Sequence, residues 1–386
     1  MIPRSLEAWD FLMYTIHSYP SFGTMNWSDS YGSVKVNESR VTMTRKTISF
    51  VVPSYNVEDY LARCIDSLLD LPQTDDVEIV IVDDGSHDDT AAIADSYVER
   101  FPEVVRAIHQ ENAGHGGACN AGIAAAQGQY LKIVDADDWV DPAAYITYIA
   151  FLRSQASAQE PVDLLISNYT YENVAKNHSH TIRYTNVFES HKRLTWDDVK
   201  NFHIDQYLLM HTLTYRTEVL RQSGLKLPEH TFYVDFIFSF QPLPWVKTLT
   251  YLNIDFYRYF IGREGQSVQK DIMIKRVDQL IRVNDVMTHA MPSKEDVSAG
   301  LYRYMLHYLA SEYIVTSVFL TLSNDTERWA QKEELWQRLK EYNEDIYNDM
   351  RSQEFLTRAV TIRGKLGRGL IKASYAVTNG AVGFNS

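Results

Sequence analysis

The stretch YLKIVDADDWVD, Tyr130 to Asp141, decides how this chain is read. Tyr130 to Val134 reads as an apolar strand that runs directly into Asp135, Asp137 and Asp138. Carboxylates so closely spaced repel one another, and a strand end gains nothing by holding them together. A divalent cation reverses that balance, because hard ions such as Mg²⁺ or Mn²⁺ take carboxylate oxygens and bring a phosphate-bearing ligand with them. Asp135 and Asp137 are therefore read as a metal and nucleotide site. Asp141, directly before Pro142, reads instead as the cap of the following helix.

Working outward toward the N-terminus, the pattern is regular. Strands are expected over 48–52 (ended by Pro53), 77–82 and 104–109, with helices over 58–70, 89–101 and 116–127. The first helix shows its period in Leu61, Ile65, Leu68 and Leu69. Alternating strands and helices imply βαβ units, a mostly parallel sheet and right-handed crossovers. Ligands of such sheets bind beyond the carboxyl ends of the strands. Here those ends read PSYN, DDGS, QENAGHGG and DADD, and they should meet on one edge. Just after DDGS, Asp88 and Thr90 read as structural caps.

Outward in the other direction the texture changes. Strands are expected over 162–169 and 208–216, a hairpin arm over 181–188, and a helix over 217–222 closed by Gly224. HTFYVDFIFSF opens a helix, and VKTLTYLN and FYRYF read as two strands. From about Lys270 to about Ile371 the apolar period is helical. Residues before Thr47 show no sustained period and read as a poorly ordered extension, with Met43 a natural start for the compact part. The expected division is thus 1–46, an α/β domain over 47–268, and a helical C-terminal region over 269–386.

With 386 residues, 45% hydrophobic and 23% charged, the composition is that of a soluble globular protein. A formal net charge of -13 argues against non-specific nucleic-acid binding, which needs a basic face. It leaves room for an anionic nucleotide held by a metal and backbone amides. Cys64 and Cys119 fall in expected helices and read as buried reduced thiols. No apolar run approaches ~18 residues, so no transmembrane helix is expected. Glu7 and Asp10 interrupt the first apolar stretch, which does not read as a signal peptide. The expectation is a cytoplasmic protein with at most peripheral contact at the inner face of the cell membrane. The basic tail would make that contact: from Phe355 onward there is no acidic residue, yet Arg358, Arg363, Lys365, Arg368 and Lys372 are present. The competing reading of the tail is a last helix packed on the chain's own acidic body.

The ordered segments VVPSYN, VDDGSHDDT, ENAGHGGACNAGI and VDADDWVD resemble the family 2 glycosyltransferases, closely over Thr47 to Asp141 and loosely to Ser267. The resemblance implies a GT-A fold, with a Rossmann-like sheet over whose strand ends a nucleotide-diphosphate sugar, usually UDP-linked, is held. It places Pro53 and Tyr55 along the base, with Ser54 shaping the turn, and Asp84 against the uracil imide. Asp135 faces the ribose, Asp137 binds the Mn²⁺ or Mg²⁺ that bridges the diphosphate, and Asp138 supports the sugar or the metal shell. Asn112, Gly114, His115 and Asn120 fall to the donor as well. Where many members carry Ala-Arg-Asn, this chain has Ala118-Cys119-Asn120, and His115 stands as a substitute for the missing arginine.

The base implied by the resemblance is Asp235, with Val234 where a glutamate usually stands. An inverting transfer would use it to deprotonate the acceptor hydroxyl. Arg258 or Arg263 would reach the diphosphate, with Gln266 and Ser267 ordering that loop, while His211 reads as a core histidine. The expected partners are a UDP-sugar and a saccharide, cell-surface polymer or lipid-linked acceptor. Two rivals stay open: a sugar nucleotidyltransferase, whose Gly-rich basic loop VPSYNVEDY lacks, and a catalytically silent partner subunit or sugar-nucleotide sensor.

Overall fold

The computed structural model describes residues 46–383 apart from 175–176, 205 and 262–269. The N-terminal extension therefore lies outside the described residues, and so do Arg263, Gln266 and Ser267.

The alternating pattern folds as β1 (Ile48–Ser54), α1 (Leu61–Leu69), β2 (Val77–Asp83), α2 (Thr90–Arg100), β3 (Val105–His109), α3 (Gly114–Ala125) and β4 (Tyr130–Ile133). The short β5 (Trp139–Val140), α4 (Pro142–Ala156), β6 (Leu164–Asn173), β7 (His178–Ile182) and β8 (Leu213–Arg216) follow. Next come α5 (Thr217–Gln222), α6 (Val234–Phe240) and β9 (Leu249–Phe260). One sheet runs in the order β3-β2-β1-β4-β8-β6-β9-β5, with β7 beside β6. β3, β2, β1 and β4 are parallel, and β8 is antiparallel to β4 and to β6.

Alternate residues of these strands face opposite sides of the sheet, and both sides are largely apolar. Val51, Val80, Leu131 and Ile133 pack toward α3 and the C-terminal helices. Ile48, Phe50, Ile79, Ile81 and Tyr130 pack toward α1, α2 and α4. A sheet covered on both faces has no polar side. Cys64 and Cys119 are free and buried, as expected.

Three local expectations change. Residues 249–260 form one strand, β9, and not two. The polar break is absorbed as an irregularity against β6, where Asn168 donates to Asn253 Oδ1 and Asp255 Oδ1, each at 2.9 Å. The hairpin arm stops at Ile182, because Tyr184 and Phe188 leave the sheet to pack against Tyr251 and Phe202. Finally, Met210–Thr212 turns as a 3-10 segment before β8 begins.

The C-terminal helices are α7 (Lys270–Lys275), α8 (Val277–Ala290), α9 (Ala299–Leu322), α10 (Thr326–Tyr342), α11 (Glu344–Gln353), α12 (Phe355–Val360) and α13 (Gly364–Gly383). They share the core of the sheet's α3 face. By length and composition α9 is apolar enough to cross a membrane, against the expectation from sequence, but 78% of its apolar window is buried inside the protein. It runs past α6, where Tyr308 meets Phe236 and Phe240 edge-on.

One turn beyond Tyr308, Glu312 is fully buried, and neither carboxylate oxygen has a hydrogen-bond partner among the described residues. Burial, then the charge of Asp235, raises its pKa well above the ordinary value. A glutamate titrates near ~4.3 when unfolded, so above that pH the folded state retains a proton the unfolded state has lost. Stability is therefore lost as pH rises. Glu312→Met should raise unfolding stability by about 1–3 kcal/mol at pH 8 and by less at pH 5. Denaturant melts at the two pH values test this, and a loss of stability at both would refute it.

Candidate active site

The first two strand ends are locked together. Ser54 aligns with Asp83, and the Asp84 N–H donates to the Ser54 carbonyl at 2.9 Å. β1 runs through Pro53 instead of stopping there. The proline, which has no N–H, faces the β4 side, where the last bond is from the Val134 N–H to the Val51 carbonyl at 2.9 Å. Pro53 and Ser54 are buried, while Tyr55 stands 46% exposed beyond them. Asp88 accepts from the N–H groups of Glu58 and Thr90, and Thr90 Oγ1 accepts from the Val57 N–H. Both residues brace the turn, which is the structural reading.

Asp84 is 2% exposed. Its Oδ1 accepts from Gln110 Nε2 at 2.7 Å and from the Ala113 N–H at 2.9 Å, and its carbonyl accepts from Asn112 Nδ2. Asp84 and Asn112 thus fix the loop after β3. The Oδ2 oxygen meets no donor among the described residues.

The glycines at the start of α3 serve the chain's own backbone. A Cβ on Gly116 would lie 2.4 Å from the Pro228 carbonyl, and one on Gly114, at φ +75°, would lie 2.9 Å from His230 Cα. The His230 N–H donates to the Ala113 carbonyl. Asn120 completes the seam, donating to the Leu227 carbonyl and accepting from its N–H at 2.8 and 2.9 Å. Both ends of its amide are used, so Asn120 holds this segment and is not presented to a donor. The seam ends at Tyr233, whose left-handed φ of +67° is strained for a bulky residue by roughly 1–3 kcal/mol. Asp235 follows in the first turn of α6.

At the end of β4, Asp138 is fully buried, accepting from Tyr257 Oη at 2.6 Å and from the Phe260 N–H at 2.7 Å. Burial and the neighbouring Asp137 and Asp135 raise its pKa far above the usual carboxylate range. Asp135, less buried, donates its N–H to Tyr257 Oη. Arg63 donates to the Asp137 carbonyl at 2.6 Å and lies over Trp139 at 4.0 Å. Arg258 is committed elsewhere: it pairs with Asp141 at 2.6 Å and Glu172 at 2.8 Å, so it holds the start of α4 instead of reaching a diphosphate. Asp141 also caps that helix through the Ala144 N–H, as expected.

His211 is buried as read from sequence, but it is not satisfied. Its ring stacks on Tyr257 at 4.9 Å, and Nδ1 has no partner among the described residues. Burial, with Lys132 and His115 nearby, lowers its pKa to about 3. It is therefore a neutral imidazole able to ligate a metal. One donor atom each from Asp135, Asp138 and His211 lie within 4.8 Å of one another. Two carboxylate oxygens and an imidazole nitrogen suit a divalent cation, and Asp137 falls outside that group.

His115 is the electrostatic centre of the site. Its Nε2 lies 3.8 Å from Asp135 Oδ1 and 3.4 Å from Cys119 Sγ. Burial lowers its pKa against the opposing pull of Asp235, Asp137 and Asp84. Asp235 in turn is raised to about 6, chiefly by burial, with Asp135 adding and His115 opposing. A partly desolvated carboxylate titrating near neutrality suits proton abstraction.

Sequence reading passed over Lys132, whose Nζ is buried and donates to the His211 and Leu213 carbonyls at 2.6 and 3.3 Å. Burial lowers its pKa to about 7 while Asp135 opposes. A lysine inside a strand otherwise read as apolar was the available signal. Nothing comparable marked Arg63 or Glu312.

The sheet and the helical C-terminal region together have the GT-A fold. TarS of S. aureus, residues 1–349 in complex with UDP-GlcNAc, superposes with a TM-score of 0.61 over 81% of this chain and 90% of that one, at 19% identity. Residues 49–211, under half of the chain, match the family model described as glycosyl transferase family 2. EpsH of Bacillus subtilis (strain 168) is 31% identical over 230 residues, 57% of this chain and 62% of EpsH. The poly(ribitol-phosphate) beta-glucosyltransferase of Bacillus spizizenii is 36% identical over 113 residues, 28% of this chain and 18% of that enzyme. The matches thus span less than two thirds of these curated relatives.

Proposed function

We propose that the chain is an inverting glycosyltransferase that moves a sugar from a UDP-linked donor to a hydroxyl of a saccharide, cell-surface polymer or lipid-linked acceptor. The observation that carries this reading is Asp235, raised to about 6, interacting with His115 at the same acidic strand edge as Asp135. Asp235 takes the acceptor proton while the acceptor oxygen forms its bond to the anomeric carbon. The bond from that carbon to the diphosphate breaks on the opposite face, and its electrons leave with the nucleotide. The TarS complex supports a UDP donor, and the poly(ribitol-phosphate) relative supports a polymer acceptor.

Pro53, Ser54 and Tyr55 are proposed along the base, with Asn112 and Gly114 shaping the loop beside it. A cation, Mn²⁺ or Mg²⁺, would neutralise charge on the leaving diphosphate. Asp135 is the common ligand: the geometry adds Asp138 and His211, whereas the Asp-x-Asp spacing adds Asp137. The proposed location is cytoplasmic. Incubation with a panel of nucleotide sugars and Mn²⁺, scoring released nucleoside diphosphate, tests the reading. Release from no donor, with UDP still bound, would replace it by the silent sensor.

Asp84 is proposed to accept the uracil imide N–H through Oδ2. Asp84→Ala should weaken uridine nucleotides more than adenosine ones, by about 1 kcal/mol or more beyond the loss shared by both. Equal losses in calorimetric titrations would leave Asp84 only its role in holding Gln110 and Ala113.

A further inference from the structure

The end of the chain presents a helix with three distinct faces. At 100° per residue, Gly367, Ile371 and Tyr375 form one stripe of α13, and all three are buried. Leu366, Leu370 and Ala373 form a second stripe, about 120° away, and are exposed: Leu366 at 80% and Leu370 at 51%. Just before the helix, Ile362 is exposed at 40%. Lys365, Arg368 and Lys372 form the third stripe. The Arg368 guanidinium lies 4.3 Å over the Trp329 ring and Lys372 reaches Asn324, so the basic row is held on the body in a defined orientation. The competing sequence reading, a last helix packed on the body, is therefore half of the description, since the packed stripe leaves the leucines outside.

We propose that α13 is a docking face for an anionic lipid bilayer, with Leu366 and Leu370 entering the acyl boundary and the basic row meeting lipid phosphates. A helix that exposes leucines on one face and carries cations on another has the composition of an interfacial helix. The charge is complementary only locally: the chain carries a net -13, yet no acidic residue follows Glu354. A bilayer therefore attracts this end and repels the remainder, which orients the molecule. A second copy of the chain fits less well. Two leucines on one helix face fall far short of the roughly 1,000 Å² that a specific protein interface needs, whereas a bilayer requires no shape-matched partner. The inference is independent of the proposed chemistry, because vesicle binding is read without turnover.

The test is cosedimentation of the full chain with phosphatidylcholine vesicles containing or lacking phosphatidylglycerol. The chain is expected to bind the anionic vesicles, to bind neutral ones weakly, and to be released by high salt. The double variant Leu366→Glu, Leu370→Glu should lose at least about tenfold in partitioning, and Lys365→Ala roughly fivefold, the weight of one basic residue at such a surface. Nucleoside diphosphate release in solution should be unchanged in both. Absence of binding to either vesicle overturns the proposal, and so does equal binding to neutral vesicles. A dimer that dissociates in the double variant, without vesicle binding, would assign the face to a second copy instead.

Discussion

Asp235→Asn is expected to retain UDP and metal binding while losing sugar transfer by roughly two to four orders of magnitude, the scale on which general-base removal acts. The substitution keeps the shape of the side chain and removes its proton affinity. The strained Tyr233, which sets the entry to α6, is untouched. The pH dependence has a definite sign. A base works only when deprotonated, and Asp235 titrates near 6, so wild-type transfer should rise with pH through that value and flatten above it. Single-turnover rates across pH 5 to 8 measure this. A variant that loses nucleotide affinity but keeps turnover would move Asp235 into the donor site, and a flat wild-type profile would remove it as the base.

The second large effect is expected at Asp135, the residue common to both possible ligand sets. Asp135→Asn should lower Mn²⁺-supported turnover by about three orders of magnitude, corresponding to the several kcal/mol that a bound cation contributes to a leaving diphosphate. A neutral amide is a poor ligand for a hard dication. The fold should survive, because the change relieves repulsion with Asp137 and Asp138. His211→Ala and Asp137→Asn then separate the two sets. If the orphaned imidazole is a ligand, His211→Ala weakens Mn²⁺ in direct titration and Asp137→Asn does so less. The reverse order would return the site to the Asp-x-Asp pair. Full activity of Asp135→Asn, or of wild type in excess chelator, would abolish the metal assignment altogether.

Alternating strands and helices are enough by themselves to place PSYN, DDGS, the glycine-rich segment and DADD on one sheet edge. That inference rests on local physics: apolar runs bury both faces of a parallel sheet, and its crossovers bring the strand ends together. The position of Asp141 before Pro142 gave its capping role for the same reason, since a helix start is written in neighbouring residues. What adjacency cannot give is the partner of a side chain far along the chain. Asn120 looked like a donor ligand until Leu227 took both ends of its amide. Arg258 looked like a diphosphate ligand until Asp141 and Glu172 claimed it.

The sequence by itself determined the fold class, the acidic edge and the family resemblance, because each is carried by short-range pattern and residue chemistry. Only the tertiary structure decided which of those residues remain available to a ligand. It buried Asp138 under Tyr257, left His211 Nδ1 unpaired and brought that ring to Asp135 and Asp138, and used Gly114 and Gly116 to seat the segment that delivers Asp235 to His115. Availability depends on burial and on hydrogen-bond partners more than a hundred residues away, and these exist only once the sheet, α3 and α6 are packed together.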